Sequence, residues 1–508
     1  WDSFNFAFAL TKGFNVVEGR PHIPGYILYI ALSEPVYLIT HDALFSLTLI
    51  SALTGAATIF PVYYLSKELY GKAVACIAPI FLVMVPEFFL DSLKAMSDVA
   101  SVFFVTLAIS LAYIGFKNGK VFHMLVSGIL MSVAIGVRQE NILFLPLLIY
   151  LLRKLGVKQF CKATILFLLT SFSWFFPMVY LSNGWQYFKV LFEAGSTYVT
   201  TNPETFLGGI SQTVFNTALY RLDLLVKTFL TYFLGVQSEA SISHLLLISI
   251  FITLLLIGIG KAKHFRFYAL WIIPYLAFIY FFTAMWPRYL LPLFVPTAII
   301  ISVPIANGVE QLSKKEKPHL SIPIIIMFIT LFISISMSSL SLAQTIHTCP
   351  SSYAMLATYI KDNYEPANTF VICAVELQAL KMYAPRFKSE WTYYYTPQEE
   401  WSRLSSGEYR GWKQILITGT AIAHISKANS KIWDQVSFIK DFSRTPLIHN
   451  KDWYLALYSF EGYKKSYYNP ITLNLKDRTI VLYPYLYVKN IKTKSYQAIT
   501  EDIQNGKT

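Results

Sequence analysis

Long runs of apolar residues alternate with short polar connections over the first two thirds of the chain. A helix needs about 20 mostly apolar residues to cross the hydrocarbon core of a membrane. The stretch 22–40 is apolar but contains Pro24, Pro35 and Glu34, so we interpret it as an interfacial or re-entrant element, with a full span as the alternative. The pattern predicts ten spans, of which the fifth is short: 43–66, 72–90, 97–116, 122–137, 141–152, 160–181, 242–260, 266–284, 289–309 and 320–342.

Charged residues are unevenly distributed along the 508-residue chain. They make up 14% of the whole, against about 25% in a soluble domain, which excludes disordered, collagen-like and ordinary cytosolic classes. Residues 1–342 contain 37 charged side chains, whereas the 166 residues after them contain 34. We therefore predict a transmembrane domain over 1–342 and a water-exposed domain over 343–508.

The net charge is +13, but the sequence contains no run of Lys and Arg interleaved with aromatic residues. Nucleic-acid binding is therefore not expected. The four cysteines have no zinc-binding spacing, and we interpret them as free thiols. A disulfide between Cys349 and Cys373 is the alternative if the tail faces an oxidising compartment. Cys76 and Cys161 lie in or beside apolar spans.

Basic residues concentrate in alternate loops of the membrane part. Five short loops contain fourteen Lys and Arg, whereas the short loops between them contain only Lys94, Arg138 and Arg288. Cytoplasmic loops are enriched in Lys and Arg, so the basic loops are expected in the cytoplasm. The pattern places these segments on the other side of the membrane: 1–20, 87–97, 138–140, 182–240, 285–288 and everything after Leu342.

The tail has the pattern of a small α/β layer, because apolar strand-like runs alternate with helical ones. Helices are predicted over 351–365 and 376–383. Strands are predicted over 369–375, 413–419, 436–442 and 453–460, and further β structure within 467–499. Neither a dinucleotide-binding glycine motif nor a P-loop occurs, so a lid, docking or acceptor-binding role is expected.

Many polar residues of the membrane part fall on the predicted outer face. Charges at such depth are costly unless they are paired or used, so their convergence indicates a polar cavity, with independent interfacial anchors as the alternative. Asp2 precedes the aromatic segment FNFAFAL and could serve as a general base at the membrane surface. A helix N-cap is the equally weighted alternative for Asp2.

Four stretches carry a resemblance to a known group. They are WDSFNFAFAL…RPHIPGYILYIAL (1–32), PEFFLDSLKAMSDVASVFFVTLAI (86–109), GVRQENILFLPLLIYLL (136–152) and WPRYLLPLFVPTAII (286–300). The ordered set resembles the GT-C superfamily of membrane glycosyltransferases, and is most similar to its protein O-mannosyltransferase and aminoarabinose-transferase-like (family 39/83-like) members. Residues 1–40 would be the catalytic first outer loop, and the first transmembrane helix of the group would precede Trp1.

Two departures from the group are visible. Many members have two adjacent acidic residues in the first loop, whereas Ser3 follows Asp2 here, which affects the assignment of the base. The usual His-Pro-Pro-Gly run is His22-Ile23-Pro24-Gly25.

The resemblance implies a polytopic helical fold with a C-terminal extracytoplasmic α/β domain, a polyprenyl-phosphate-sugar donor and an inverting single displacement. Asp2, or else Asp98, would deprotonate the acceptor, which could be a protein, lipid or glycan. Cations would stabilise the phosphate leaving group, and Arg suits this because its planar fork binds two phosphate oxygens. The implied donor-binding residues are Arg138, Arg288, Tyr289, Lys94 and His22.

Alternatives remain open for these residues. Arg138 could instead form a salt bridge with Glu140 or Asp98, and Arg288 could be an anchor beside Trp286. A divalent cation, Mg²⁺ or Mn²⁺, held by Asp2, Asp98 and Glu87 is compatible with their oxygen ligands, but is not required. For the whole chain, a transporter or lipid flippase is the alternative class, and a non-catalytic scaffold presenting the tail is a third.

Overall fold

The fold was analysed in a computed structural model of the chain. It divides into two compact units, Asp2–Ser341 and the residues from Leu342 to Thr508. The described residues are 2–201, 205–206, 214–235, 242–283, 285–314, 318–348, 357–358, 360–362, 364–373, 376–391, 396–406, 412, 414–418, 421, 471–475 and 478–483.

The first unit is helical. Its α-helices are α1 Asp2–Lys12, α2 Ile27–Thr40, α3 Ala43–Ala57, α4 Ile59–Tyr70, α5 Lys72–Met84, α6 Pro86–Asp91, α7 Asp98–Asn118, α8 Val121–Val137, α9 Leu145–Leu152, α10 Val157–Leu181, α11 Trp185–Thr201, α12 Val214–Leu234, α13 Ile242–Lys261, α14 Phe265–Phe282, α15 Leu291–Ser313 and α16 Pro318–Thr348. Short 3₁₀ helices cover Val16–Glu18, Gln139–Phe144 and Pro287–Leu290.

Seven described helical segments are long and apolar enough to cross a membrane, so the chain is a multi-pass membrane protein. The segment Asp98–Asn118 has 21 residues, a length of about 31 Å at 1.5 Å per residue, which matches the hydrocarbon core of about 30 Å. In the segment that contains α15, 94% of the most apolar 18-residue stretch is buried. In Val157–Leu181, the buried share of the corresponding stretch is only 11%. The segment with α15 therefore lies in the centre of the bundle, and α10 lies at its periphery.

The predicted spans are confirmed as helices, with differences in length. Thr58 separates α3 from α4, although the two form one segment long enough to cross, and Pro86 begins a separate helix within the predicted span 72–90. Proline lacks the N–H that a continuous helix needs, which accounts for that break. The predicted spans 72–90, 122–137 and 141–152 correspond to shorter apolar helices.

The stretch 22–40 contains a helix of only 14 residues, α2. Its length of about 21 Å is less than the hydrocarbon core, which favours the interfacial or re-entrant interpretation over a full span. The loop before α2 is tied to the rest of the unit. The Val16 amide donates to Ser182 Oγ at 3.1 Å, and the Tyr187 hydroxyl donates to the Pro24 carbonyl at 2.9 Å.

The stretch 182–240 contains two helices, α11 and α12, that were not predicted. Arg221 of α12 is only 2% exposed. Its guanidinium donates to the carbonyls of Ile279, Tyr280 and Thr283 at 3.1, 2.7 and 2.8 Å. These carbonyls belong to the last turn and the C-cap of α14, where intrahelical partners run out. Arg221 therefore fastens α12 to the end of α14.

The second unit contains a five-stranded sheet in the order β2-β1-β3-β5-β4. The strands are β1 Thr369–Cys373, β2 Lys388–Trp391, β3 Gln414–Thr418, β4 Ile471–Leu475 and β5 Arg478–Tyr483. Strand β1 is parallel to β2 and β3, β3 is parallel to β5, and β4 is antiparallel to β5. Helices α17 Leu377–Tyr383 and α18 Pro397–Ser406 connect the first three strands.

The predicted α/β character of the tail is confirmed. Strands β1 and β3 and helix α17 lie where the pattern predicted them, and β4 and β5 lie within 467–499. Strand β2 was not predicted, because KSEW has no apolar run. The predicted strands 436–442 and 453–460 lie outside the described residues, as does most of the predicted helix 351–365.

Candidate active site

The candidate site lies at one end of the helical bundle, which we call the charged end. It is formed by the first turn of α1, the loop before α2, the N-terminus of α7, the C-terminus of α8 and the 3₁₀ turn before α15. Residues far apart in sequence meet there through two ion pairs, Asp98–Arg138 and Asp2–Arg288. The opposite end of α7 is basic, and Lys117 there pairs with Glu68 of α4 at 3.1 Å.

Asp2 and Arg288 form the more open part of the charged end. Arg288 Nη2 lies 2.8 Å from Asp2 Oδ2, and the two side chains are 24% and 14% exposed. His22 Nδ1 lies 3.7 Å from the other carboxylate oxygen of Asp2. Arg288 Nε is buried and has no hydrogen-bond partner among the described residues. One edge of the guanidinium is therefore available to a further acceptor.

Arg138 forms the closed part of the charged end. Its Nη1 lies 2.5 Å from Asp98 Oδ1, and its Nε donates to Glu140 Oε1. All three side chains are shielded, with exposures of 6% for Arg138, 2% for Asp98 and 11% for Glu140. The Asn141 amide donates to the Arg138 carbonyl at 3.1 Å, and the Asn141 side chain hydrogen-bonds to Ser101 of α7 at 2.8–3.0 Å, which links this part to α7. The salt bridges considered for Arg138 are thus both present.

Aromatic rings connect the two parts. The Tyr289 ring centre lies 5.1 Å from the guanidinium carbon of Arg138 and 5.4 Å from that of Arg288. Cations within about 6 Å of a ring centre are attracted by its negative face, so one ring contacts two like charges that would otherwise repel each other. The Trp286 ring centre lies 5.6 Å from the Arg288 guanidinium carbon, as expected if Arg288 is anchored beside Trp286.

Neighbouring charges determine the protonation of Asp2 and His22. Burial alone would raise the pKa of the Asp2 carboxyl, but the charges of His22, which is protonated at the low pH where Asp2 titrates, and of Arg288 and Arg138 outweigh it and hold that pKa well below its ordinary value. Burial lowers the pKa of the His22 imidazole below 6.5, and the positive charge of Arg288 opposes the raising effect of Asp2. At neutral pH, Asp2 is therefore ionised and His22 is neutral.

The structure brings together six of the seven predicted site residues: Asp2, His22, Asp98, Arg138, Arg288 and Tyr289. Lys94, the seventh, pairs with Asp91 at 2.6 Å in the turn before α7. Prediction from the sequence missed Tyr26, whose ring centre lies 5.0 Å from that of His22 and 5.8 Å from the Arg138 guanidinium carbon. Its position in the Pro-Gly-Tyr turn was the available signal.

The predicted metal ligands do not form a metal site. Among the residues with described positions, no group of three His, Cys, Asp or Glu side chains could hold a metal ion. Asp2 and Asp98 each face an arginine instead. A metal cation next to a guanidinium would be repelled. This donor set therefore does not fit a divalent ion.

Comparison with known proteins agrees with the sequence motifs. Residues 22–181 match the family described as dolichyl-phosphate-mannose-protein mannosyltransferase. This match confirms the predicted resemblance to GT-C membrane glycosyltransferases of the protein O-mannosyltransferase type. No curated protein matches the chain in a sequence search.

Solved structures of two proteins resemble the fold at low identity. The crystal structure of ArnT from Cupriavidus metallidurans bound to undecaprenyl phosphate has 12% identity and a TM-score of 0.49, with 77% of this chain and 81% of that chain covered. The oligosaccharyltransferase of Archaeoglobus fulgidus tethered with an acceptor peptide has 12% identity and a TM-score of 0.44, with 76% and 59% covered.

Proposed function

We propose that the chain transfers a sugar from a polyprenyl-phosphate carrier to an acceptor on the extracytoplasmic face of the plasma membrane. The family match over 22–181 supports a glycosyltransferase with a lipid-phosphate-sugar donor. The observation that carries the proposal is the pairing of the Asp2 carboxylate with the Arg288 guanidinium at 2.8 Å in a partly open site. A proton acceptor and an anion-binding group are thus adjacent, as this reaction requires.

In this proposal, Arg288 binds the lipid phosphate and Arg138 supports it electrostatically. Arg288 has an unpartnered Nε and is 24% exposed, so incoming phosphate oxygens compete with Asp2 for its donors. Arg138 also contacts the Tyr289 ring and adds positive charge. Both cations stabilise the negative charge that develops on the phosphate as the glycosidic bond breaks.

Asp2 acts as the general base. When phosphate oxygens occupy Arg288, the carboxylate loses the charge that depresses its pKa, and its affinity for a proton rises. The acceptor hydroxyl or amine then gives its proton to Asp2 while its oxygen or nitrogen attacks the anomeric carbon. The polyprenyl phosphate departs with the bonding electrons. One displacement of this kind inverts the anomeric centre.

The remaining assignments follow from this reaction. Asp98 is held by Arg138 and is the second candidate for the base, and His22 orients Asp2 as a neutral imidazole. We propose that residues 1–342 contain the reaction site and that the α/β tail, 343–508, binds or positions the acceptor. The charged end faces outward in this proposal, since the basic loops, including Lys117, lie at the opposite end of α7.

The test is a transfer assay with purified, detergent-solubilised protein and a panel of radiolabelled polyprenyl-phosphate sugars. We expect one donor to release free polyprenyl phosphate and to give a product of inverted anomeric configuration. The Asp2→Asn variant should bind donor but not turn it over. Glu18→Gln is the matched control, because Glu18 lies in the loop before α2 and pairs with Arg20 rather than with Arg288.

The same protein in proteoliposomes tests the alternative class. A transporter or flippase would move labelled lipid between leaflets without cleaving the phosphate–sugar bond. Lipid movement with no cleavage for any donor of the panel would contradict the proposed transferase.

A further inference from the structure

The turn that joins α6 to α7 contains buried polar groups that the reaction above does not use. It runs from Asp91, the last residue of α6, to Asp98, the first residue of α7. Asp91 is 2% exposed, Ser97 is fully buried and Asp98 is 3% exposed. Asp91 is close enough to Asp98 for their charges to interact. Asp98 also pairs with Arg138, so this turn ends within the charged end.

Each of the two carboxylates uses only one oxygen. Asp91 Oδ1 binds Lys94 at 2.6 Å, and Asp98 Oδ1 binds Arg138 at 2.5 Å. The second oxygens, Asp91 Oδ2 and Asp98 Oδ2, are buried and have no hydrogen-bond partner within the described part of the chain. An ionised carboxylate is an acceptor with room for about four hydrogen bonds, so both oxygens can still accept a hydrogen bond.

Ser97 has an unusual position for an unpaired hydroxyl. It is the N-cap residue of α7, where a serine side chain normally accepts a hydrogen bond from the first turn. Here the side chain makes no capping bond, and its Oγ is buried without a partner among the residues that the structure describes. The hydroxyl can therefore bind a group outside the helix.

Three buried polar atoms without partners in one turn require an explanation. An unpaired buried donor or acceptor costs about 1–3 kcal/mol, and more than nine in ten such groups in folded proteins are paired. Two of the three atoms are pure acceptors, so the group that satisfies them must donate. Several adjacent O–H donors on one small rigid ligand are the chemistry of a sugar ring.

We propose that Asp91, Ser97 and the free oxygen of Asp98 form the subsite that binds the hydroxyls of the transferred sugar. This inference rests on the proposed function and adds the residues that select the sugar. Asp98 Oδ1 already contacts Arg138, which faces the phosphate in the proposed reaction. A sugar ring attached directly to that phosphate would place its hydroxyls next to the turn. The subsite binds and orients, and no covalent step occurs on it.

The test compares two ligands, polyprenyl phosphate and the polyprenyl-phosphate sugar that the wild type binds most tightly in a panel of hexose and pentose donors. Binding is measured on purified full-length protein in detergent, independently of turnover. We expect Asp91→Asn to weaken binding of the sugar-bearing lipid about 10-fold or more, and Ser97→Ala about 3- to 10-fold. Binding of the sugar-free lipid should change less than about 2-fold.

The control is Ser92→Ala, which removes a hydroxyl from the same turn that already donates to the Phe88 carbonyl at 2.7 Å. This variant should bind both lipids as the wild type does. A melting temperature for each variant identifies a misfolded Asp91→Asn protein, in which case Ser97→Ala decides.

The failure of the proposed function and the failure of the subsite give different results. If neither lipid binds the wild-type protein, the proposed function fails. If both bind and the Ser97→Ala and Asp91→Asn variants keep the wild-type preference for the sugar-bearing lipid, the subsite is wrong, and ordered water alone satisfies the three atoms. A loss confined to the sugar-bearing lipid supports the subsite.

Discussion

The two arginines of the charged end differ in their surroundings. Arg138 is 6% exposed and is held between two carboxylates, Asp98 and Glu140. Arg288 is 24% exposed, binds the single carboxylate of Asp2 and leaves Nε without a partner among the described residues. The Arg138 guanidinium is held by two carboxylates, whereas the Arg288 guanidinium retains an unused donor among the described residues.

This difference separates preorganisation from ligand binding. A buried cation between two anions has already been desolvated, so its position is fixed before any ligand arrives. A partly exposed cation with an unused donor can exchange its protein partner for a phosphate oxygen. The closed part therefore stabilises the site, and the open part takes part in the exchange with substrate.

Replacing Arg138 should have the largest effect on folding. In Arg138→Met, the buried carboxylates of Asp98 and Glu140 lose their shared cation, and breaking such a pair costs about 3–5 kcal/mol. Thermal unfolding in detergent should show a large decrease in melting temperature and a low yield of folded protein. Arg288→Met is the matched comparison and should lower the melting temperature much less. Equal decreases would contradict the distinction between the closed and open parts.

Removing the proposed base should abolish turnover without unfolding the protein. Asp2→Asn keeps the size of the side chain but cannot take a proton, and general-base catalysis contributes about 10²- to 10⁴-fold to a rate. We expect a decrease of about 10³-fold in kcat, measured as sugar transfer, with only a moderate decrease in melting temperature from the lost ion pair with Arg288. An unchanged kcat would assign the base elsewhere, with Asp98 as the next candidate.

Replacing Arg288, the cation of the more open part, with lysine should have a smaller effect on activity. Lysine preserves the charge of Arg288 but loses the planar fork that binds two oxygens. Arg288→Lys should therefore raise KM for the lipid-phosphate donor about 10-fold while the acceptor KM is unchanged. Arg20→Lys is the control, since Arg20 pairs with Glu18 rather than with Asp2. An equal change in both KM values would argue against phosphate contact.

The pH dependence of stability should show the smallest effect. The pKa of His22 is lowered in the folded protein, so the unfolded chain binds protons more readily and stability decreases as the pH falls below about 6.5. The depressed pKa of Asp2 adds a second decrease only below about pH 4. Melting temperatures from pH 8 to 5 should fall in the wild type and fall less in His22→Gln. Parallel curves would remove His22 from this dependence.

The sequence predicted the long helices because length and apolar composition alone determine which segments can cross a membrane. It also predicted which residues share the charged end, since helix ends on one side of a bundle must lie near one another. It could not predict the partner of each charge. The pairing of Asp2 with Arg288, rather than with Arg138, depends on contacts between residues 286 positions apart.

Local geometry was the other limit of prediction from sequence. Tyr26 has φ +49°, a left-handed conformation that non-glycine residues rarely adopt. No periodicity signals such a residue, yet this conformation allows its ring to contact both His22 and Arg138. Similarly, α11 and α12 were missed because 182–240 has less continuous apolar runs than the predicted spans.

The bonds from Arg221 to the end of α14 have a consequence for engineering shortened forms of the protein. The chain passes within a few residues from those three carbonyls to the turn that carries Arg288. Deleting α12 would leave the three carbonyls without their buried donor. It would also destabilise the backbone that positions the Arg288 guanidinium. The segment between α10 and α13 is thus no dispensable insertion, and trimming is best confined to residues outside its helices.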